Sequence, residues 1–133
     1  MARRILVIDD DEAIRFSVAI LLRAKGYIVT LGVDGADGFD QFIKHQPEIV
    51  ISDMVMPGNQ SIQTIAKMRA LNPKVAIIAM SGSIQGGPES FLKRAQEAGA
   101  NHYLEKPFEA QQLLSLLKQV EDDGELGAAK NKS

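Results

Sequence analysis

The sequence contains neither cysteine nor tryptophan, and aromatic residues make up only 5% of its 133 positions. Without cysteine, a disulfide scaffold, a thiolate zinc site and a cysteine nucleophile are all excluded. No apolar run approaches the ~18 residues that a membrane span requires. The N-terminal apolar run ends at Asp9, which makes it too short for the apolar segment of a signal peptide. We therefore expect a soluble, cytoplasmic domain with no membrane partner.

Neither sign of charge dominates the chain. Fifteen basic and 17 acidic residues give a formal net charge of −2 and a pI near 5.7. A domain that binds nucleic acid directly usually carries a basic excess, so we expect no such partner. The 45% hydrophobic and 24% charged residues are ordinary for a folded chain, and the length predicts one domain.

Five short segments have the composition of β-strands. Residues 5–8, 49–51 and 75–79 are apolar throughout and rich in β-branched side chains, which suits central strands covered on both faces. Residues 27–30 and 101–105 mix polar with apolar side chains, which suits the edges of a sheet. The first three runs are too short and too β-branched to favour buried helices.

Helical periodicity fills the intervals between these segments, with Asp11 and Asp34 as candidate caps and Gly26 and Gly99 as candidate stops. Strict alternation predicts an α/β fold, (βα)5, with a doubly wound five-stranded parallel sheet and helices on both faces. Polar second and fifth strands match the known flavodoxin-like order 2-1-3-4-5. Residues 1–120 would form the domain, and 121–133 a flexible C-terminal tail.

Polar residues follow four of the predicted strands at their carboxyl ends, where doubly wound sheets bind ligands. Asp9 and Asp10 follow the first strand, Asp53 the third, Ser81 the fourth and Lys106 the fifth. In the assumed strand order these ends are contiguous. The sequence therefore predicts an acidic pocket that holds one hydroxyl and one amine.

A hard divalent cation would remove the repulsion between carboxylates that share a pocket. Mg²⁺ prefers a few oxygen ligands and retained waters. We expect Asp9, Asp10 and Asp53 to supply its protein ligands, with the backbone carbonyl of Val55 as a plausible addition.

The same pocket suits phosphoryl transfer to a carboxylate. Asp53 would act as the nucleophile and become an aspartyl phosphate. Lys106 would pair with the new charge, and Ser81 would donate a hydrogen bond to a phosphoryl oxygen.

Each residue also has an ordinary structural explanation. Acid after a strand often caps the next helix, serine before glycine is common in turns, and Lys106 alone would be read as a solvated surface residue. The coincidence of all of them at the same ends of successive strands favours a site.

The chain resembles the receiver domain of two-component response regulators, the CheY-like family, over roughly residues 3–120. Four segments carry the resemblance, in order and at similar spacing: LVIDDD at 6–11, SDMVMP at 52–57, AMSG at 79–82 and YLEKPF at 103–108.

The resemblance implies that Asp53 is the phosphoacceptor and that Asp9 and Asp10 bind Mg²⁺, Asp10 more directly. It places Ser81 and Tyr103 at the switch positions and Lys106 at the position of the family's lysine, followed by a bond to proline that is typically cis. On phosphorylation, Ser81 would move inward and the Tyr103 ring would turn from exposed to buried. The surface of the fourth helix, fifth strand and fifth helix would then change.

The implied partners are a phosphohistidine donor, on a sensor histidine kinase or a histidine phosphotransfer protein, and a downstream protein that the sequence does not identify. The domain would be a monomer or a phosphorylation-dependent dimer. We expect a signalling phosphoacceptor and not an enzyme, with only self-phosphorylation and self-dephosphorylation chemistry.

Two stretches depart from the family pattern. The Asp-Gly pair that often follows the acceptor strand is absent from residues 56–61, and we expect Ser61 to cap the next helix instead. The segment 83–88 is longer than the corresponding segment of the family, and we expect it to form a mobile loop beside the pocket. Apolar Val55 cannot orient a water, which predicts slow self-dephosphorylation.

Three other functions compete with this interpretation. A metal-dependent phosphatase with an aspartyl nucleophile needs a second carboxylate, and none stands two residues after Asp53. A flavodoxin-like electron carrier would have a phosphate loop rich in Ser, Thr or Gly after the first strand, where this chain has acid. A receiver that docks unphosphorylated would not need the complete residue set.

Overall fold

The computed structural model describes residues 3–54, 60–81 and 88–122. Within these ranges strands and helices alternate as predicted. In chain order they are β1 (Arg4–Ile8), α1 (Glu12–Ala24), β2 (Ile28–Gly32), α2 (Gly35–His45), β3 (Ile49–Asp53), α3 (Gln60–Leu71), β4 (Ala76–Ser81), α4 (Pro88–Ala98), β5 (His102–Glu105) and α5 (Ala110–Asp122).

The described strands form one parallel sheet in the order β2-β1-β3-β4-β5, so the predicted topology is confirmed. The register aligns the carboxyl ends. Ile8 lies opposite Ser52, and Asp53 lies opposite Met80. Side chains that follow the ends of β1, β3, β4 and β5 therefore meet at one edge of the sheet.

The core is divided between the two faces of the sheet. Ile5 and Val7 of β1 pack with buried residues of α1 and α5, whereas Leu6 and Ile8 pack with buried residues of α2, α3 and α4. These four side chains are fully buried, as expected of a central strand that helices cover on both sides.

The predicted helix boundaries are largely confirmed. Asp11 caps α1 by accepting from the amides of Ala13 and Ile14, and Asp34 caps α2 by accepting from the amide of Asp37. Gly26 and Gly99, after α1 and α4, have φ of +94° and +122°. Only glycine adopts such angles readily, which explains why these helices stop there.

The expectation for Ser61 is wrong. Helix α3 already begins at Gln60, so Ser61 lies inside the first turn and is 1% exposed. Its hydroxyl donates a hydrogen bond to the backbone carbonyl of Asp53 at 2.7 Å, so it does not cap the helix. The hydroxyl is therefore bonded to a carbonyl eight residues earlier in the chain and not to an amide of its own helix.

Helix α2 approaches β2 closely at a point where two glycines face each other. A Cβ on Gly32 of β2 would lie 2.8 Å from the Cα of Gly38 in α2, and a Cβ on Gly38 would collide with the side chain of Ile8. The backbones of the helix and the strand therefore touch at this point.

The end of α5 is joined to the turn between α1 and β2. The Tyr27 hydroxyl donates to Oε2 of Glu121 at 2.9 Å. Helix α5 continues to Asp122, and residues 123–133, which include most of the expected tail, lie outside the described residues. Burial, then the hydrogen bond to Glu121 and its negative charge, raises the pKa of Tyr27 from 10.0 to about 12.

This contact predicts a loss of stability in alkali. The folded chain holds the Tyr27 proton more tightly than the unfolded chain does. The contribution of protonated Tyr27 to the free energy of unfolding is therefore complete below pH 10.0 and is lost as pH rises towards about 12. We expect the free energy of unfolding, measured by urea titration, to fall less steeply over this interval in Tyr27→Phe than in the wild type. Equal slopes in the two proteins would contradict the assignment.

Candidate functional site

The site lies at the carboxyl edge of the sheet. Asp9 follows β1, Asp53 and Ser81 end β3 and β4, and Lys106 follows β5. Asp9, Asp53 and Ser81 are 0%, 4% and 1% exposed. The structure thus brings together buried polar residues that are widely separated in the chain.

Hydrogen bonds hold both the carboxylate and the backbone carbonyl of Asp9. Its Oδ2 accepts from Nζ of Lys106 at 2.8 Å, and its Oδ1 accepts from the amide of Asp11 at 2.9 Å. The guanidinium of Arg15, on α1, donates to the Asp9 carbonyl at 2.8 Å. A fully buried carboxylate needs such partners, since an unpaired charge would be very costly there.

Three carboxylates lie close together, and two of them contact one ammonium group. Oxygens of Asp9, Asp10 and Asp53 all lie within 4.8 Å of one another, and Asp10 is exposed at the mouth of this cluster. Nζ of Lys106 lies 3.5 Å from Oδ2 of Asp53 as well as beside Asp9. The local charge is therefore negative, and the donor set consists of the hard oxygens that Mg²⁺ prefers.

The Ser81 hydroxyl is buried and has no hydrogen-bond partner among the described residues, although the Ser81 carbonyl accepts from the amide of Lys106 at 2.8 Å. A buried hydroxyl without a partner is uncommon in folded proteins. Such a donor at the edge of the acidic cluster is suited to an anionic oxygen that arrives with a substrate.

Tyr103 lies on the same face of the sheet as Ser81. It is opposite Ala79 in the register, two positions before Ser81, and alternate residues of a strand share a face. The ring is half-buried against the cluster that contains Leu6 and Ile8, and burial raises the pKa of Tyr103. Ser81 and Tyr103 therefore share one face of β4 and β5, with Ala79 beside the tyrosine.

Three expectations concern residues that the structure does not describe. Val55, the expected backbone ligand whose side chain was also expected to slow dephosphorylation, lies outside the described residues, as does most of the loop expected at 83–88. The peptide bond between Lys106 and Pro107 is described and is cis.

An apolar cavity of about 400 Å³ adjoins the acidic cluster. Helix α1 forms one side, and the segment after β5 forms the other. The lining residues are Ala13, Ile14, Ser17, Val18, Lys106, Pro107 and Phe108. Lys106 therefore lines this groove and also places its ammonium group against the carboxylates.

The family profile described as "Response regulator receiver domain" matches residues 5–118. The chain belongs to this family. It is a phosphoacceptor receiver module of two-component signalling, as the sequence predicted.

Relatives of this receiver domain include the response regulator MprA of Mycobacterium sp. (strain KMS), which is 32% identical over 120 residues. That match covers 89% of this chain and 50% of MprA. The chain spans about a third to a half of the lengths of the first curated relatives.

Solved structures show the same fold. A CheY-like receiver domain protein from Methanospirillum hungatei JF-1 superposes with a TM-score of 0.85 at 25% identity, covering 92% of this chain and 96% of that one. A receiver domain protein from Clostridium thermocellum gives 0.82 at 28% identity, with 95% and 98% coverage. Receiver domains bind Mg²⁺ in an acidic pocket and are phosphorylated by histidine kinases, and Asp9, Asp10 and Asp53 form the acidic cluster of this one.

The receiver domain also lacks, in its described ranges, any helix that is long and apolar enough to span a bilayer.

Two residues of this site were missed from the sequence. Arg15 reads as a solvated helix residue, and its role at the Asp9 carbonyl has no signal in the local pattern. Ser61 was assigned to the wrong partner. Both act through backbone carbonyls, which sequence patterns do not reveal.

The excess of negative charge predicts that the metal-free protein gains stability when one carboxylate is neutralised. We expect Asp53→Asn to raise the free energy of unfolding by about 1 kcal/mol in a chelating buffer, because Asp53 faces two carboxylates and only one ammonium group, which leaves a net, partly screened repulsion of that order. Mg²⁺ should stabilise the wild type more than the variant. Thermal unfolding with and without Mg²⁺ measures both effects.

Asp40→Asn is the matched control, since Asp40 is exposed on α2, away from the cluster. It should change stability little in either buffer. A lower melting temperature for Asp53→Asn without metal would show that the carboxylates are not under mutual repulsion.

Proposed function

We propose that Asp53 accepts the phosphoryl group from a phosphohistidine, on a sensor histidine kinase or a histidine phosphotransfer protein. A carboxylate oxygen of Asp53 attacks the phosphorus, an O–P bond forms and the N–P bond to the donor imidazole breaks. The imidazole nitrogen leaves with the electron pair of that bond and takes up a proton. The products are an aspartyl phosphate and a free histidine.

The observation that carries this proposal is the position of the Lys106 ammonium, 2.8 Å from Asp9 and 3.5 Å from Asp53. The group already lies beside the proposed nucleophile, so it can pair with a phosphoryl oxygen without a large rearrangement. Because Asp9 holds it on the other side, the cation is oriented before the donor arrives.

Asp9, Asp10 and Asp53 would hold Mg²⁺, with the carbonyl of Val55 as the expected further protein ligand. The ion would neutralise the carboxylates and so permit a dianionic phosphoryl group to approach. The exposure of Asp10 keeps this side of the cluster open to a donor protein, and the neighbouring groove offers that protein an apolar surface.

Ser81 and Tyr103 would transmit the event. The Ser81 hydroxyl, which has no partner within the described ranges, would gain a phosphoryl oxygen as acceptor, and the space that it leaves would lie on the face of the sheet that Tyr103 shares. The Tyr103 ring would then become more deeply buried, which alters the surface of α4, β5 and α5. We infer that a downstream protein reads this surface.

The first test uses a small phosphodonor, which removes the need to identify the kinase. We expect the wild type, incubated with Mg²⁺ and acetyl phosphate, to gain the mass of a single labile phosphate. Asp53→Asn should gain none, a chelator should abolish the reaction, and Asp40→Asn should behave like the wild type. A phosphate on Asp53→Asn would place the acceptor elsewhere.

The second test exploits the absence of tryptophan. Since the chain has two tyrosines, Tyr103 is the sole tyrosine fluorophore in a Tyr27→Phe background. We expect phosphorylation to reduce iodide quenching of its emission, because the ring becomes buried.

Adding Ser81→Ala to that background should weaken the change in quenching at equal phosphate occupancy. Unaltered quenching on phosphorylation in the Ser81-containing protein would contradict the role of Tyr103.

A further inference from the structure

The backbone carbonyl of Asp53 accepts hydrogen bonds from side chains at the point where the pairing of β1 with β3 ends. Strand β1 ends at Ile8, which lies opposite Ser52, so the ladder between β1 and β3 does not reach Asp53. Two hydroxyls donate to this carbonyl instead, from Ser61 at 2.7 Å and from Ser52 at 3.3 Å.

The bond from Ser61 is the stronger of the two. Its length is at the optimum for an O–H···O hydrogen bond, whereas the bond from Ser52 is long. Ser61 is 1% exposed, so water does not compete for the hydroxyl. This bond joins the first turn of α3 to the last residue of β3.

The chemistry of the site needs Asp53 in a narrow range of positions. Its carboxylate must stay within reach of Lys106, at 3.5 Å, and of the oxygens of Asp9 and Asp10, within 4.8 Å. The amide of Met54, which follows Asp53, is held by the carbonyl of Met80 at 2.7 Å. The peptide unit between Asp53 and Met54 is therefore fixed at its oxygen by Ser61 and at its nitrogen by β4.

We propose that Ser61 is a positioning residue for phosphoryl transfer, because its hydroxyl fixes the peptide unit that carries Asp53 and so orients the carboxylate towards Lys106. This inference rests on the proposed role of Asp53 as phosphoacceptor.

The test compares Ser61→Ala with the wild type in acetyl phosphate kinetics and in Mg²⁺ binding measured by calorimetry. We expect the maximal phosphorylation rate of Ser61→Ala to fall roughly fivefold, the order of one lost buried hydrogen bond, and its KM for acetyl phosphate to stay within about twofold. The Mg²⁺ dissociation constant should rise, since Asp53 is one of the expected ligands. Ser52→Ala should have a smaller effect on both quantities, in keeping with its longer bond.

Two further variants separate positioning from general stability. Thr64→Val removes another buried hydroxyl one turn later on α3, so it should lower the melting temperature without slowing phosphorylation. Ser61→Thr retains the hydroxyl and should restore the rate. An unchanged rate and Mg²⁺ affinity in Ser61→Ala, or equal slowing by Thr64→Val, would overturn the proposal.

The wild type and Asp53→Asn distinguish this failure from that of the proposed function. If the wild type takes no phosphate, or Asp53→Asn takes one, the assignment of Asp53 fails. If the wild type is phosphorylated on Asp53 and Ser61→Ala matches it, only the inference about Ser61 fails.

Discussion

The attraction between one ammonium group and two buried carboxylates organises this receiver domain. Lys106, which follows β5, bridges Asp9 and Asp53, which lie at the ends of β1 and β3. The bridge can form only because parallel pairing in the order β2-β1-β3-β4-β5 aligns those ends. One cation does not balance the three acids of the cluster, so the fold holds a standing excess of negative charge. That excess would favour the binding of a divalent ion, which would reduce the repulsion that an incoming phosphoryl group meets.

Much of the fold was predictable because its signals are local. Central strands that helices cover on both faces must be apolar throughout, and residues 5–8 and 49–51 show this directly. The caps at Asp11 and Asp34 were predictable for the same reason, since each accepts from amides two or three residues later. The membership of Asp9, Asp53 and Lys106 in one cluster followed from topology, because strand ends converge whatever the details of packing.

The remaining contacts depend on tertiary geometry. Ser61 has the composition of a cap, yet it donates to a carbonyl that becomes available only because β1 stops short of Asp53. Arg15 reaches the Asp9 carbonyl across the first turn of α1, and Tyr27 reaches Glu121 over 94 positions of chain. No periodicity or spacing encodes such pairs, since each depends on where a long side chain or a hydroxyl finds an acceptor.

The meeting of Gly32 and Gly38 sets α2 apart from its neighbours. Elsewhere the separation of a helix from the sheet is set by interdigitating side chains, which can be exchanged for others of similar volume. Here main chain rests on main chain, so there is no intermediate layer to remodel. A methyl group added at Gly32 would meet the main chain of Gly38, so the helix itself would have to move, whereas one added at Gly38 would meet the side chain of Ile8. Substitution at position 32 would therefore shift the helix abruptly, whereas other positions of the core can change in volume by small steps.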